Sequence, residues 1–301
     1  MLKKFLNNII KNKIFNKENK ILLTVSGGID SVVMFHLFLK TKLNFAVCHC
    51  NFKLREESDE DAIFVKKLSE ENNIKYFETS FDTLKFAKEN KFSIQMAARS
   101  LRYEWFEKIR NENNFDFIAT AHNKNDITET FLINLARGTG IRGLTGIKIK
   151  KNKIIRPMIN FSREEISDFK EKNKIIYNED ASNFSTKYIR NKIRHKIIPI
   201  LEEINPYFIE TMSENIGRLK ENFKIYEKAI LEKKEKIFFY EKDLIFLKKL
   251  EIENLENKEI FFYEFLKDFG FNRIQSDKIL KSFNAVGKQF FTSKMKKKFF
   301  L

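Results

Sequence analysis

The chain has 301 residues, 43% of them hydrophobic, and a formal net charge of +16 at pH 7. This is enough for a packed core in one large domain or two ordinary ones. No apolar run reaches the length of a transmembrane helix, and residues 1–13 lack the apolar stretch of a signal peptide. We therefore expect a cytoplasmic protein with no membrane partner. The charge suits a polyanion such as RNA, although lysine is abundant throughout.

Strand and helix patterns alternate through the first half of the chain. The predicted strands are 21–25, 44–49, 75–80, 115–121 and 154–158, and the predicted helices are 31–40, 58–72, 94–111, 126–137 and 162–172. Ser58–Asp61 and Ser162–Glu165 predict capping boxes at two helix starts. The alternation predicts an α/β fold, a parallel sheet with helices on both faces. Ligands of such sheets bind at the carboxyl ends of the strands.

Strand signals fade in the second half of the chain. Residues 185–204 and 206–240 have helical patterns, and 241–285 predict two or three shorter helices. We place a domain boundary near 205, which separates an α/β domain (1–205) from an all-helical domain (206–301). The basic, phenylalanine-rich end, 287–301, predicts an edge strand or a frayed tail.

The two cysteines, Cys48 and Cys50, are two positions apart on a predicted strand. They would lie on the same face of that strand and would not form an ordinary disulfide, so we expect reduced thiols. The absence of a CxxC motif leaves no obvious zinc or iron–sulfur site.

The motif Ser26-Gly27-Gly28-Ile29-Asp30-Ser31 lies between the first predicted strand and helix. Glycines allow a close approach of phosphate to the backbone, and the free N–H groups of a helix start favour an anion. The carboxylate of Asp30 would repel phosphate unless a cation lay between them, which points to Mg²⁺. The alternative is a plain glycine turn in which Asp30 only caps the helix.

Further charged motifs are ambiguous on their own. Arg99 and Arg102 share one face of a predicted helix, which is typical of a solvated basic surface. Asp126 and Glu129 could simply cap the helix that begins there.

Arg190 and Arg194 also share a helical face, with Lys196 close by in the sequence. This segment suits RNA phosphates, and a solvated helix is the equal alternative.

The Ser26–Ser31 motif resembles the PP-loop of the N-type ATP pyrophosphatases, whose Rossmann-like fold is of the adenine nucleotide alpha hydrolase type. Over residues 20–206, further motifs resemble the tRNA(Ile)-lysidine synthetase family in order: His49–Arg55, Ala98–Tyr103, Ala121–Thr130, Arg137–Leu144, Arg156–Pro157, Ser162–Glu165, Glu179–Asp180 and Tyr188–His195. The chain departs from the family pattern at Phe52 and Asn123, where the family has histidine, and at Asn125, where an acidic residue is frequent.

The resemblance implies a ligase that joins L-lysine to C2 of the wobble cytidine of tRNA(Ile) with a CAU anticodon. ATP first adenylates the cytidine, and the products are lysidine, AMP and pyrophosphate. The resemblance also implies roles for individual residues: ATP binding by Ser26, Gly27, Gly28, Ile29, Asp30, Ser31 and His49; Mg²⁺ binding by Asp30 and Asp126; catalysis by Asp30, Asp126 and Arg99; lysine binding by Asp126 and Glu129; and tRNA binding by Arg190, Arg194 and Lys196. It further implies that 1–205 is the ATP-binding catalytic domain and that 206–301 is a tRNA-binding domain with a basic tail, and a homodimer is compatible with it.

Two other functions stay open at this point. A PP-loop tRNA thiolase would share the adenylation step, but it usually needs a reactive cysteine pair or iron–sulfur ligands, for which Cys48 and Cys50 are a poor substitute. A basic RNA-binding protein that uses ATP only as a structural ligand would not need carboxylates at strand ends.

Overall fold

The computed structural model describes residues 1–55, 57–179, 188–241, 244–283, 289–290 and 299–300. The chain divides into two compact units, Met1–Gly217 and Arg218–Leu301. This division lies beyond the predicted boundary near 205, because Ile209 and Ile216 of the following helix pack into apolar clusters of the first unit. The assignment of 1–205 and 206–301 to separate functional domains stays a prediction.

The first unit is built on a six-stranded sheet with the strand order β3-β2-β1-β4-β6-β5. The strands are β1 (Ile21–Thr24), β2 (Phe45–Asn51), β3 (Tyr76–Ser80), β4 (Phe117–Ala119), β5 (Lys150–Lys151) and β6 (Ile154–Ile155). All neighbours pair in parallel except β5 and β6, which pair antiparallel at the edge. The predicted sheet is confirmed. Strand β5 was not predicted, because both of its residues are exposed lysines without apolar alternation.

Helices cover both faces of this sheet, as predicted. The helices that begin in the first unit are α1 (Leu2–Lys11), α2 (Ile29–Thr41), α3 (Ser58–Glu71), α4 (Thr83–Glu89), α5 (Ile94–Glu112), α6 (Lys124–Arg137), α7 (Ile141–Leu144), α8 (Arg163–Lys172), α9 (Ile189–Lys192), α10 (Ile198–Ile204) and α11 (Phe208–Ile237), and α11 continues into the second unit. Leu23 of β1 packs in one cluster with Phe35 of α2, whereas Leu22 packs in another with Phe106 of α5. Successive residues of β1 thus point into different cores, which explains its uninterrupted apolar run.

The predicted start of α3 at Ser58 is confirmed, but its predicted capping box is wrong. Helix α3 begins at Ser58 with Glu57 in the N-cap position, and no side chain caps it. The Asp61 carboxylate accepts hydrogen bonds from Arg55 and Asn178 instead of closing a capping box. The other predicted box is confirmed: Ser162 and Glu165 exchange backbone-to-side-chain hydrogen bonds of 3.0 and 3.2 Å at the start of α8.

The segment predicted as one helix over 185–204 is described from residue 188 onward. It consists of α9, a π-helical turn over Ile193–Ile197, and α10. Pro199 has no N–H to donate to the preceding turn, which interrupts regular α-helical bonding there. Residues 180–187, including Asp180 of the predicted Glu179–Asp180 motif, lie outside the described residues.

The second unit is mainly helical and also contains a β-hairpin that the sequence analysis did not predict. Its elements are β7 (Phe238–Glu241), β8 (Leu244–Leu247), α12 (Lys249–Glu253), α13 (Lys258–Leu266) and α14 (Arg273–Lys281). Strands β7 and β8 pair antiparallel, and the rings of Phe239 and Phe246 stack with centroids 5.0 Å apart. Aromatic residues favour strands, so they end the helical pattern that precedes them.

In the predicted tail, β9 (Gln289–Phe290) pairs antiparallel with β10 (Phe299–Phe300). The other residues of 287–301 lie outside the described part of the chain. Across the ranges that the structure describes, no helix combines the length and apolar character required to cross a bilayer.

Candidate active site

A tight turn between β1 and α2 forms the first part of the site. Gly27 has a φ of +94°, in the left-handed region that side chains rarely adopt, and Gly28 is the N-cap of α2 without a side-chain cap. Within the described residues, no backbone carbonyl accepts a hydrogen bond from the amides of these two glycines. The turn therefore presents N–H donors at the positive end of a helix, an arrangement suited to phosphate oxygens.

Two serines shape this turn. The Ser31 hydroxyl donates to the Gly28 carbonyl at 2.9 Å and accepts from the Ser26 amide at 3.1 Å. Ser31 is buried, whereas Ser26 is exposed, and their hydroxyl oxygens lie 3.2 Å apart. Ser31 thus holds the turn together, and Ser26 remains able to reach a ligand.

His49, at the end of β2, supports the same turn from the neighbouring strand. It is buried, and burial lowers the pKa of its imidazole. The neutral ring donates from Nδ1 to the Val25 carbonyl at 2.9 Å, since a carbonyl oxygen can only accept. His49 therefore orients the backbone just before Ser26, and its predicted contact with the nucleotide stays a prediction.

Asp30 lies in the first turn of α2, next to the glycines. One of its carboxylate oxygens, Oδ1, is buried without a hydrogen-bond partner, and burial raises the pKa of the group. An unpartnered buried carboxylate oxygen is unfavourable.

A bound cation would satisfy this oxygen, so the residues present fit Mg²⁺. The described residues contain no group of three acidic, histidine or cysteine side chains that could hold a metal. This agrees with the usual Mg²⁺ arrangement of one or two carboxylates completed by water and phosphate oxygens.

Helix α6 supplies two more carboxylates after β4. Asn123 is its N-cap and exchanges hydrogen bonds of 3.0 and 3.1 Å with Asp126 in a capping box. The box therefore joins Asn123 to Asp126 Oδ2, and the prediction that Asp126 and Glu129 cap a helix beginning at 126 is wrong, because α6 begins at Lys124. Glu129, one turn further on, is 0% exposed, and burial raises the pKa of its carboxyl.

Arg190 of α9 and Arg194 of the π-helical turn that follows α9 lie against these carboxylates. Arg194 Nε donates to Glu129 Oε1 at 2.6 Å, and Arg190 Nε lies 3.5 Å from Glu129 Oε2. Both guanidinium groups also lie 3.8–3.9 Å from Asp126 Oδ1. The residues predicted to bind tRNA and those predicted to bind lysine thus form one charge-balanced cluster. Lys196, the third residue predicted to bind tRNA, is exposed.

His122 was missed by the sequence analysis, although it lies in the Ala121–Thr130 motif. Its Nδ1 lies 2.8 Å from the hydroxyl oxygen of Thr120, the residue that follows β4. Burial, with the charges of Arg156, Arg190 and Arg99 acting in the same direction, lowers the pKa of His122 to about 4, against the opposing effect of Asp126. The imidazole of His122 is therefore neutral at pH 7.

Arg99, predicted to be catalytic, stacks over Tyr103, with 4.7 Å between its guanidinium carbon and the centroid of the tyrosine ring.

The low pKa of His122 predicts a pH effect on stability. Between its ordinary pKa of 6.5 and about 4, the unfolded chain binds a proton that the folded chain excludes, so acidification through this range favours unfolding. We expect a His122→Asn variant to lose less stability than the wild type between pH 7 and pH 4.5 in urea denaturation. An identical loss in both proteins would contradict the neutral, buried state of His122.

Comparison with known proteins agrees with this arrangement. The PP-loop domain family matches residues 1–201, and the TilS substrate binding domain family matches residues 240–295. A solved structure of the U34-tRNA thiolase NcsA from Methanococcus maripaludis shares the fold, with a TM-score of 0.61 and 21% identity over 73% of this chain and 78% of that one. Fold and turn together define a protein of the PP-loop class.

Relatives at higher identity specify the family. Proteins named tRNA(Ile)-lysidine synthase are 38% identical in Bacteroides thetaiotaomicron, 39% in Thermosipho africanus and 37% in Petrotoga mobilis. They match 94%, 89% and 89% of this chain, which spans 66%, 59% and 86% of their respective lengths. The chain belongs to the tRNA(Ile)-lysidine synthase family.

Proposed function

We propose that this chain is an ATP-dependent ligase that joins L-lysine to C2 of the wobble cytidine of tRNA(Ile) with a CAU anticodon. The observation that carries the proposal is that two features lie at the carboxyl ends of the neighbouring strands β1 and β4. The glycine turn offers N–H donors for a pyrophosphate group beside the unpartnered oxygen of Asp30. The buried carboxylate of Glu129 lies after the adjacent strand β4 and suits a cationic amine.

In the first step, O2 of the cytidine attacks the α-phosphorus of ATP, and pyrophosphate leaves. The turn from Ser26 to Ser31 holds the leaving group through its N–H donors, and this charge stabilisation together with positioning provides most of the catalysis. Asp30 and Asp126 would hold Mg²⁺, which neutralises the phosphate charge. Arg99, whose charge acts on His122, is the proposed catalytic arginine of this step.

In the second step, the side-chain amine of lysine attacks C2, and AMP leaves with the former O2. The amine must be neutral to attack, and Asp126 is the proposed base that takes its proton. Glu129 would compensate the charge of the incoming ammonium. Since Arg194 Nε already lies 2.6 Å from Glu129 Oε1, this binding mode requires the guanidinium to move away from the carboxylate.

The thiolase alternative is not favoured by the cysteines. Both are free thiols, and burial is the main cause that raises the pKa of Cys50 to about 12 and that of Cys48 well above its ordinary value. A thiol must ionise to act as a nucleophile or to bind an iron–sulfur cluster. These cysteines would remain protonated at neutral pH.

The decisive assay uses purified chain, radiolabelled lysine, ATP and total tRNA. We expect label in RNA and AMP release that depends on both tRNA and lysine. Exchanging the CAU anticodon for another sequence should abolish incorporation. AMP release without lysine, or a sulfur-containing product, would reject the proposal, and ATP binding without any AMP release would support a non-catalytic RNA-binding protein.

Lys196 offers a test of the proposed tRNA contact. Replacing one phosphate-contacting cation should weaken tRNA binding at every sequence and reduce the salt slope, the change in log K per unit of log salt concentration, by about one. We expect Lys196→Ala to show this in binding titrations at several salt concentrations. Arg190→Ala should have a smaller effect on the slope, because its guanidinium already lies near Asp126 and Glu129. An unchanged slope for Lys196→Ala would remove that contact.

A further inference from the structure

A residue outside every predicted site motif contacts the glycine turn. Asn178 lies beyond the end of α8, far from the turn in sequence. Its backbone N–H donates to the Gly27 carbonyl at 3.0 Å, and its side-chain Nδ2 donates to Asp61 Oδ1 at 2.9 Å. One residue therefore binds both the turn and a carboxylate of helix α3.

That carboxylate lies directly against Gly27. A Cβ atom added to Gly27 would be 3.2 Å from Asp61 Oδ1, which is a tighter contact than side chains normally make. Asp61 is 7% exposed and also forms an ion pair with Arg55. Its position is thus held from two sides, by Arg55 and by Asn178, and it closes one side of the turn.

The Gly27 carbonyl determines where the next N–H points. In a planar trans peptide, the C=O and the N–H of the same unit point in opposite directions. Because Asn178 fixes the Gly27 carbonyl on one side, the Gly28 N–H is directed to the other. The same reasoning applies two peptide units earlier, where His49 holds the Val25 carbonyl and the Ser26 N–H donates to Ser31.

We propose that Asn178 and Asp61 are positioning residues that hold the Gly27–Gly28 peptide in the orientation that binds nucleotide phosphates. This inference rests on the proposed function insofar as the turn is the ATP site. Glycine samples many backbone conformations at little cost, so an unsupported glycine pair would have to order itself when ATP binds. The two residues provide that order before the nucleotide arrives.

The test measures Mg-ATP affinity of the full chain by equilibrium titration. Asn178→Asp places a second carboxylate beside Asp61, and we expect the Kd for Mg-ATP to rise about tenfold. The exchanged pair Asp61→Asn with Asn178→Asp again combines one amide and one carboxylate but leaves Arg55 beside the amide, so it should lower the Kd again by about threefold, part of the way to wild type. Asn173→Ala is the matched control, since among the described residues that side chain donates to the Phe169 carbonyl of its own helix and to no group of the turn. Its Kd should not change.

The outcomes separate positioning from general stability. Thermal unfolding without ATP is recorded for each variant. Wild-type affinity in Asn178→Asp would overturn the inference. A weakened affinity that the exchanged pair does not recover, with an equal loss of thermal stability, would also overturn it, because it would show a purely structural role. If these affinities behave as expected but no lysine enters tRNA, the proposed function fails and the positioning role stands. A wild-type chain that does not bind Mg-ATP would overturn both.

Discussion

Asp30→Asn is expected to abolish ATP–pyrophosphate exchange and, at the same time, to raise the midpoint of thermal unfolding. The first effect follows from the loss of the carboxylate proposed to bind Mg²⁺. The second follows from removing the negative charge of a carboxylate that is buried with one oxygen unpartnered, a burial that costs on the order of 1 kcal/mol or more. A carboxylate that lowers stability where it stands agrees with the proposed role of Asp30 in Mg²⁺ binding.

The pH dependence of this gain has a defined sign. Burial raises the folded-state pKa of Asp30 above its ordinary value of 3.8. Between 3.8 and the folded-state pKa, the carboxyl is therefore protonated to a greater extent in the folded chain than in the unfolded chain. Wild-type stability from this group therefore falls as the pH rises through that interval. The penalty is complete above the folded pKa, and the advantage of Asp30→Asn should be largest there and vanish in acid.

The matched control is Asp168→Asn on the exposed surface of α8. It removes the same charge without changing a buried group, and both stability and exchange should stay at the wild-type level. Exchange activity in Asp30→Asn at the wild-type rate would reject the metal role. An unfolding midpoint lower than that of Asp168→Asn would show that the buried carboxylate is stabilised in a way that the contacts of the folded chain do not show.

Arg194→Ala is expected to destabilise the chain by about 3 kcal/mol, at the lower end of the cost of breaking a buried ion pair. The reason is the carboxylate left behind: Glu129 is 0% exposed, and Arg194 is its nearest donor. Arg190 lies 3.5 Å from the other Glu129 oxygen and would compensate in part. Urea denaturation at pH 7 measures the change in unfolding free energy.

Two companion variants distinguish this mechanism from a loss of packing. Arg190→Ala should cost less than Arg194→Ala, since its side chain is 40% exposed. Adding Glu129→Gln to Arg194→Ala removes the buried charge and should recover part of the stability. If the double variant is no more stable than Arg194→Ala alone, the loss comes from packing of the arginine side chain and not from the orphaned carboxylate.

Local sequence pattern was sufficient for the elements that carry the glycine turn. The apolar run Ile21–Val25 followed by Ser-Gly-Gly predicted a strand, a turn and a helix, and β1, the turn and α2 confirm it. These features depend on neighbours in sequence, namely apolar periodicity, glycine freedom and helix-start chemistry. The Ser162–Glu165 capping box was predictable for the same reason.

Partners distant in sequence were not predictable in this way. Asp61 matched a capping box by spacing, but Arg55 and Asn178 compete for its carboxylate in the folded chain. Arg190 and Arg194 matched a basic RNA-binding face, and only the folded chain brings them to Glu129 and Asp126.

By itself, the sequence determined the alternation of the parallel strands with their helices, the glycine turn and the carboxylates that follow β1 and β4, because each of these depends on residues close together in the chain. Tertiary structure decided which charged side chains form ion pairs and which backbone carbonyls of the turn are held by hydrogen bonds, including the Gly27 carbonyl that accepts from Asn178. The physical reason is that ion pairs and long-range hydrogen bonds depend on distance and burial in space, and spacing along the chain specifies neither.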